Sequence, residues 1–132
     1  MGYRAMDVTR LVAEVCRRQH WDFDGESVTV HLESGRKQVI QLLTFVFEGE
    51  EVIRLYTRVG PISALTATQL SALLGLNFSL AFGSLASYEN DLVMTDTLLL
   101  RESSVDQLAY AIRFLAETSD GYEKQIYGTD RY

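Results

Sequence analysis

The sequence has 132 residues and a mass of 14.9 kDa, the size of one protein domain, so we expect a single domain over residues 1–132. With 47% hydrophobic and 23% charged residues, the composition excludes disordered and collagen-like chains. The formal net charge of -6 has the wrong sign for neutralising phosphates, which argues against nucleic acids and anionic membranes as partners. The single cysteine excludes an internal disulfide, and the sequence contains neither a secretion signal nor the ~18 apolar residues that span a bilayer. We therefore expect a cytoplasmic protein.

The first 60 residues predict one helix followed by a three-stranded meander. Residues 5–20 carry apolar side chains at spacings of three and four, which is typical of an amphipathic helix. Alternation of apolar and polar residues predicts strands over residues 27–33 and 51–59. The nearly continuous apolar run between them, residues 37–47, predicts a strand that is covered on both faces. We expect Gly60-Pro61 to end this sheet, because proline donates no hydrogen bond to a central ladder.

The second half predicts a helix, a hairpin and a long final helix. Thr66 with Gln69, and Ser104 with Gln107, match capping boxes that begin the two helices. The first of these helices is expected to end near Gly75 or Asn77, and the last to run towards Ile126. Residues 80–88, which are rich in small side chains, and residues 92–101 predict two strands. The predicted class is α+β, an antiparallel sheet with the element order α-β-β-β-α-β-β-α.

Three groups of side chains are candidate sites of chemistry. Cys16 and His20 lie four residues apart on the first predicted helix and could form a thiolate–imidazolium pair, and a hydrolase built on them needs a third, acidic group. Asp22, Asp24 and Glu26 alternate like calcium ligands, but counting from Asp22 the sixth position, where an EF-hand loop needs glycine, is Ser27, and Gly25 stands at the fourth.

Asp96 is the third group, because a carboxylate in an apolar strand can have the raised pKa that marks catalytic sites. No histidine or second carboxylate lies at an evident spacing from it, and the glycines match no phosphate-binding loop. The sequence therefore predicts no enzyme, and no catalytic, cofactor or metal site.

Two features favour protein contacts instead. Arg54, Tyr56 and Arg58 lie on one face of a predicted strand, and arginine and tyrosine are enriched at protein interfaces. Residues 37–47 and 80–88 are also more apolar than one sheet and three helices need, which predicts an exposed apolar patch. The alternatives are a solvated face paired with acids and a patch that the helices cover completely.

The element order resembles the type III secretion chaperone-like fold, which bacterial effector chaperones share with the YbjN-like family. In the second half the sequence pattern is similar as well, and closer to the YbjN-like branch. The residues that carry this resemblance are Asn77-Phe78, residues 80–86, Asp91-Leu92-Val93, residues 98–101, Ser104, and Leu108, Ile112, Leu115 and Tyr122 of the last helix.

The resemblance implies a bacterial cytoplasmic protein that is not an enzyme and acts as a homodimer through contacts with a protein or extended peptide. Effector chaperones dimerise around their second helix and the following strand, which correspond here to Leu70, Leu73, Leu74, Ala81, Phe82 and Gly83. They hold an extended effector segment on the first helix and the sheet, which correspond to Val8, Leu11, Val12, Phe45 and Phe47. YbjN-like proteins are regarded as sensory or regulatory proteins.

The leading hypothesis from the sequence is thus a dimeric chaperone-like or regulatory module that binds proteins. The alternative is a small-molecule-binding regulatory domain, with a pocket between sheet and helices that is lined by Tyr56, Phe82 and Met94.

Overall fold

The computed structural model describes residues 5–128, and their side chains from Val8 onward. Within this range the chain forms three α-helices and six β-strands. The helices are α1 (Ala5–Gln19), α2 (Ala67–Ser79) and α3 (Val105–Tyr122), and the strands are β1 (Asp22–Phe23), β2 (Ser27–His31), β3 (Lys37–Phe47), β4 (Glu50–Pro61), β5 (Ser84–Tyr88) and β6 (Asp91–Leu99). Short 3-10 turns lie at Ile62–Ala64 and Leu100–Glu102, and a π-helical turn at Glu123–Tyr127 extends α3.

All six strands pair antiparallel in one sheet with the order β1-β2-β3-β4-β6-β5. Two hairpins, β3–β4 and β5–β6, close through Glu48-Gly49 and Glu89-Asn90, and each of these residues has a positive φ. Two consecutive positive φ values are the geometry of the type I′ turn, which matches the twist of antiparallel strands. The α+β class and the predicted order of elements are confirmed, with the two-residue strand β1 added.

Helices α1 and α3 cover one face of the sheet and form the core with it. The sheet contributes alternate residues such as Val28, Ile40 and Leu55, and α3 lies across β3, β4 and β6 while α1 packs on α3. The α3 residues in this core are Leu108, Ala109, Ala111, Ile112, Leu115 and Ala116. We call this side of the sheet the helix face and the other side, which no helix covers in the described part of the chain, the open face.

Strand β3 is covered differently from the prediction. We expected both faces of β3 to be covered. The helices cover only Gln38, Ile40 and half-buried Leu42, and residues 43–47 are all exposed. The prediction was wrong because no helix of residues 5–128 covers the open face, and because β3 is longer than the helix layer, so its end projects beyond the core. The predicted exposed apolar patch lies here.

Strand β4 continues through Gly60-Pro61, where we predicted the end of the sheet. A register shift between Arg58 and Gly60 bulges the strand, and Pro61 then pairs with Asp91. Gly60 also allows the ring of Tyr127 to approach closely, because a Cβ there would lie 2.3 Å from that ring. A bulge tolerates a proline that a regular central strand would not.

The region between α2 and β6 also differs from the prediction. Helix α2 continues to Ser79 rather than ending near Gly75 or Asn77, and β5 begins only at Ser84. None of the helices in residues 5–128 is long and apolar enough to cross a membrane.

Candidate protein-binding surfaces

Helix α2 is held at the sheet edge by few contacts. Its capping box is present as predicted. The backbone N–H of Gln69 donates to Thr66 Oγ1 at 3.1 Å, and the backbone N–H of Thr66 donates to Gln69 Oε1 at 2.8 Å. Near its other end, the Asn77 side chain bonds the backbone of Leu85 in the edge strand β5. Asn77 Nδ2 donates to the Leu85 carbonyl at 3.0 Å, and the Leu85 amide donates to Asn77 Oδ1 at 2.6 Å.

The outer side of α2 is apolar and exposed. The helix has no charged residue, and Leu73 is its only buried side chain. Leu74 is 71% exposed and Phe78 is 97% exposed, and residues four apart share one side of a helix. Ser71 and Gly75 lie beside them, and a Cβ at Gly75 would meet nothing within 4 Å. We call these four residues the α2 apolar face.

The loop after α2 brings an aromatic residue to the surface. Phe82 is half exposed and makes edge-to-face contacts with Tyr110 at 5.5 Å and Phe114 at 5.7 Å between ring centroids. Gly83 follows with a φ of 66°, and a Cβ at this position would lie 2.9 Å from the Thr95 carbonyl oxygen. Only glycine fits there without strain.

The structure therefore distributes the predicted dimer residues over three environments. Leu74, Ala81 and Phe82 are exposed, Leu70 and Gly83 are half-buried, and Leu73 is buried in the protein's own core. The sequence could not separate Leu73 from Leu74, because both are leucines on one helix. Phe78 and half-exposed Leu76 were not singled out as contact residues, although their apolar type on an uncharged helix was a usable signal.

The open face carries the predicted cluster of Arg54, Tyr56 and Arg58. The Arg54 guanidinium lies 4.9 Å from the centre of the Phe45 ring, and its Nε donates to Thr97 Oγ1 at 3.0 Å. Arg58 Nε lies 2.9 Å from Asp91 Oδ1. The arginines therefore already have partners within the chain, which makes this part of the open face an ordered platform.

Tyr56 occupies the centre of the open face. Its ring meets Tyr88 edge-to-face at 5.3 Å between centroids. Burial raises the pKa of the Tyr56 hydroxyl, and Tyr88 and Glu89 add to that effect, so the hydroxyl stays a neutral hydrogen-bonding group at physiological pH.

The tip of the β3–β4 hairpin is the second exposed apolar surface. Val46 is 67% and Phe47 is 60% exposed, and with Phe45 they form what we call the hairpin tip. Val8 of α1 lies across a shallow cleft from Phe45 and Val46. Of the predicted partner-binding residues, Val8 and Val12 are buried in the core and Leu11 packs against it, so only the side chains of the hairpin tip and the open face are accessible.

The two residues of the candidate catalytic pair, Cys16 and His20, lie in different environments. Cys16 is buried, and burial raises the pKa of its thiol to about 11, which removes the thiolate at neutral pH. His20 is exposed and ends α1 with a φ of 63°. Among the hydrogen bonds of the described residues, none joins Cys16 to His20.

The acidic residues after α1 have structural partners. Asp24 Oδ1 accepts hydrogen bonds from the amides of Glu26 and Ser27, which lowers the pKa of its carboxyl group. Asp22 Oδ2 lies 2.8 Å from His31 Nε2 across the β1–β2 pair. Within the described residues, no three His, Cys, Asp or Glu side chains are grouped to hold a metal ion.

The pocket of the alternative hypothesis does not form as predicted. Tyr56 lies on the open face, whereas Met94 is buried on the helix face and Phe82 lines a cavity on the same side as Met94. The three residues therefore do not line one pocket, because successive residues of a strand point to opposite faces and Tyr56 pairs with Thr95 rather than with Met94. A different cavity on the helix face contains Phe82 and Asp96.

Solved structures provide the comparison for this architecture, since no protein-family model and no curated protein sequence matches the chain. A chain of the ExsC–ExsE complex aligns with a TM-score of 0.65 and 16% identity over 94% of this chain and 96% of that chain. A chain of the HopA1–SchA chaperone–effector complex aligns with a TM-score of 0.62 and 13% identity over 91% and 95%.

The third comparison names the fold most directly. A chain from the structure of the Yersinia pestis type III secretion chaperone SycH, in complex with a stable fragment of YscM2, aligns with a TM-score of 0.57 and 15% identity over 84% of this chain and 95% of that chain. The chain has the type III secretion chaperone fold. The resemblance seen in the sequence is thus confirmed at the level of the fold. YbjN from E. coli aligns as well, with a TM-score of 0.48 and 14% identity over 89% of this chain and 86% of that chain.

Proposed function

We propose that this protein is a chaperone-like module that binds a protein or extended peptide, acts as a homodimer in the bacterial cytoplasm and catalyses no reaction. The observation that carries the proposal is the α2 apolar face. An uncharged helix that buries one leucine and exposes Leu74 and Phe78 exposes apolar surface that a partner would cover. The fold supports the proposal, because the similar structures include a chaperone–effector complex and a secretion chaperone with a bound protein fragment.

Gly75 supports contact between two copies of α2. Glycine in an exposed helix interior costs about 1 kcal/mol relative to alanine, and nothing in the described residues lies near enough to a Cβ at Gly75 to require it. A second helix that crosses α2 at Gly75 would use the missing side chain, because small residues let two helix backbones approach closely. A twofold axis through this point would place Leu74 and Phe78 of each copy against the other.

The proposed partner surface is separate from the dimer surface. It consists of the hairpin tip and the neighbouring open face, where Arg54 and Tyr56 are already ordered by Phe45 and Tyr88. Exposed aromatic and arginine side chains that are fixed before binding lose little conformational entropy on contact. An extended segment of a partner protein fits this combination of an apolar ridge and a polar platform.

Light scattering of the purified protein tests the dimer. At tens of micromolar we expect a mass of about twice 14.9 kDa for the wild type, and a folded monomer for Leu74→Asp and Phe78→Asp. Leu73→Asp is unsuitable, because Leu73 is buried and a charge there would unfold the monomer. The matched control is Val46→Asp, which puts the same charge on an equally exposed apolar residue of the hairpin tip and should leave the dimer intact.

A wild-type monomer at these concentrations would contradict the proposal, and so would a dimer that Leu74→Asp and Phe78→Asp leave unchanged. Circular dichroism of each variant shows whether a lower mass comes from a folded monomer.

A further inference from the structure

A cavity of about 570 Å³ lies on the helix face between β6 and the first half of α3, apart from the hairpin tip and the open face. Its volume is in the range of small-molecule binding sites. Leu98 and Ala111 contribute its apolar lining, and Phe82 and Tyr110 stand at its side. A single lysine or arginine side chain would fill only part of this space.

The aromatic wall of the cavity has a fixed geometry. Phe82 and Tyr110 meet edge-to-face at 5.5 Å between centroids, and Phe114, one turn further along α3, meets Phe82 edge-to-face at 5.7 Å. Phe82 and Tyr110 are both about half exposed, so together they present a large apolar area to a ligand in the cavity. The faces of aromatic rings attract cations and apolar groups alike.

The charged side chains that line the cavity are acidic, and one of them, Glu102, has Arg101 Nη2 at 4.0 Å from its Oε1. Asp96 lies on the helix face between buried Met94 and half-buried Leu98, and Glu102 lines the same cavity. Of the described side chains that line it, none is lysine, arginine or histidine. Asp96 Oδ1 accepts a hydrogen bond from the Thr97 backbone amide at 2.9 Å.

Asp96 has no evident structural reason to be a carboxylate. Burial raises the pKa of its carboxyl group, with the Thr97 hydrogen bond opposing that rise, so the site disfavours the ionised form of this carboxyl group. Among the described residues no cation pairs with Asp96. A half-buried charge beside an apolar, aromatic wall is stabilised when a ligand supplies the opposite charge.

We propose that this cavity binds a small organic cation, with an ammonium or guanidinium group against Asp96 and an apolar body against Phe82, Tyr110 and Leu98. The inference does not rest on the proposed dimer. The cavity should therefore bind a ligand that has both a positive charge and an apolar group more tightly than its neutral analogue.

The test uses the full chain, with benzylammonium as the probe and benzyl alcohol as its neutral analogue of nearly the same shape. In titrations followed by amide chemical shifts near neutral pH, we expect shifts confined to β6 and the first half of α3. Benzylammonium should bind about tenfold more tightly than the alcohol, which corresponds to ~1.4 kcal/mol. Asp96→Asn keeps the shape and the acceptor for the Thr97 amide, and it should remove that preference.

Two further variants separate charge from fold. Asp106→Asn removes the same charge from exposed Asp106 in the first turn of α3, outside the cavity, and should leave the affinity for benzylammonium unchanged. Tyr110→Leu keeps an apolar surface side chain but removes the ring, and should weaken benzylammonium binding several-fold. This variant keeps the test decisive should Asp96→Asn fold poorly.

Equal affinity for the two probes, unchanged affinity of Asp96→Asn, or no saturable binding would overturn the proposal. Acetyl-argininamide is the third probe, because a guanidinium could also come from a partner protein. If it binds more tightly than benzylammonium, the cavity takes a basic side chain, and the assignment to a free small molecule is overturned.

Discussion

Helices α2 and α3 begin with the same capping box, and α2 is the more apolar of the two, yet α3 is the one that the core buries. Seven residues of α3 are buried, against Leu73 alone in α2. The difference shows that apolar character alone does not place a helix in the core. The apolar residues of α3 repeat on one side of the helix, whereas those of α2 point both towards the sheet and away from it.

The two helices are therefore expected to respond differently to truncation. Leu115→Ala, in α3, should lower the free energy of unfolding by about 2–5 kcal/mol, because Leu115 is fully buried and its loss leaves a cavity. Leu74→Ala, in α2, should change it by no more than about 0.5 kcal/mol at concentrations where the chain is monomeric. Urea unfolding followed by circular dichroism measures both, and equal losses would remove the contrast between the helices.

The attachment of α2 to the sheet depends on Asn77. Asn77→Ala leaves the amide and carbonyl of Leu85 without these partners, and should cost about 1–3 kcal/mol. Asn77→Asp still accepts from the Leu85 amide but sets a carboxylate oxygen against the Leu85 carbonyl oxygen, so it should lose at least as much. Amide exchange of Leu85 reports the change directly, and unaltered protection in Asn77→Ala would show that packing alone holds α2.

The capping boxes sharpen the comparison further. Ser104→Ala should lower the free energy of global unfolding by about 1 kcal/mol, because α3 belongs to the core. Thr66→Ala removes the same kind of bond from α2 and should act mainly on local opening of that helix. Amide exchange separates local from global opening, and a global effect of the same size for both variants would contradict the division.

Much of the fold could be predicted from the sequence, because the signals concerned were local. The capping residues Thr66 and Ser104 mark where α2 and α3 begin, and the bounds of β3 follow from its apolar run. The continuation of β4 through Pro61 could not be predicted, because it depends on a bulge and on the ring of Tyr127 beside Gly60. Both are contacts between residues far apart in the chain.

The candidate surfaces were predictable in type rather than in position. Sequence patterning placed Arg54, Tyr56 and Arg58 on one face, since the period of a strand is two residues. It could not decide which apolar residues the core would take. Val12 was buried and Phe47 was not, because α1 lies within the helix layer and the end of β3 extends past it.

The smallest predicted effect is the one that Asp96→Asn has on the pH dependence of stability. Burial raises the pKa of Asp96 above the ordinary 3.8, so the folded state holds this proton more tightly than the unfolded state. The wild type should therefore lose stability as the pH rises from the ordinary to the raised pKa. Asp96→Asn has no such loss, and its thermal midpoint relative to wild type should be higher near pH 7 than near pH 3. Glu102→Gln is the control in the same cavity, and an equal difference at both pH values would contradict this reading.

The central claim is that the α2 apolar face joins two copies of the chain, and a spin label on α2 tests it most directly. Ala72 is exposed and is not one of the four residues of the α2 apolar face, so Ala72→Cys provides a labelling site at the edge of the proposed contact. Cys16 is buried with a pKa of about 11 and should remain unlabelled. The axes of packed helices lie about 8–10 Å apart. Pulsed electron paramagnetic resonance should therefore give one short, narrow distribution of distances between the two spin labels of a dimer, and Leu74→Asp should abolish it. Absence of dipolar coupling in the wild-type background, or a distance that Leu74→Asp leaves unchanged, would contradict the account.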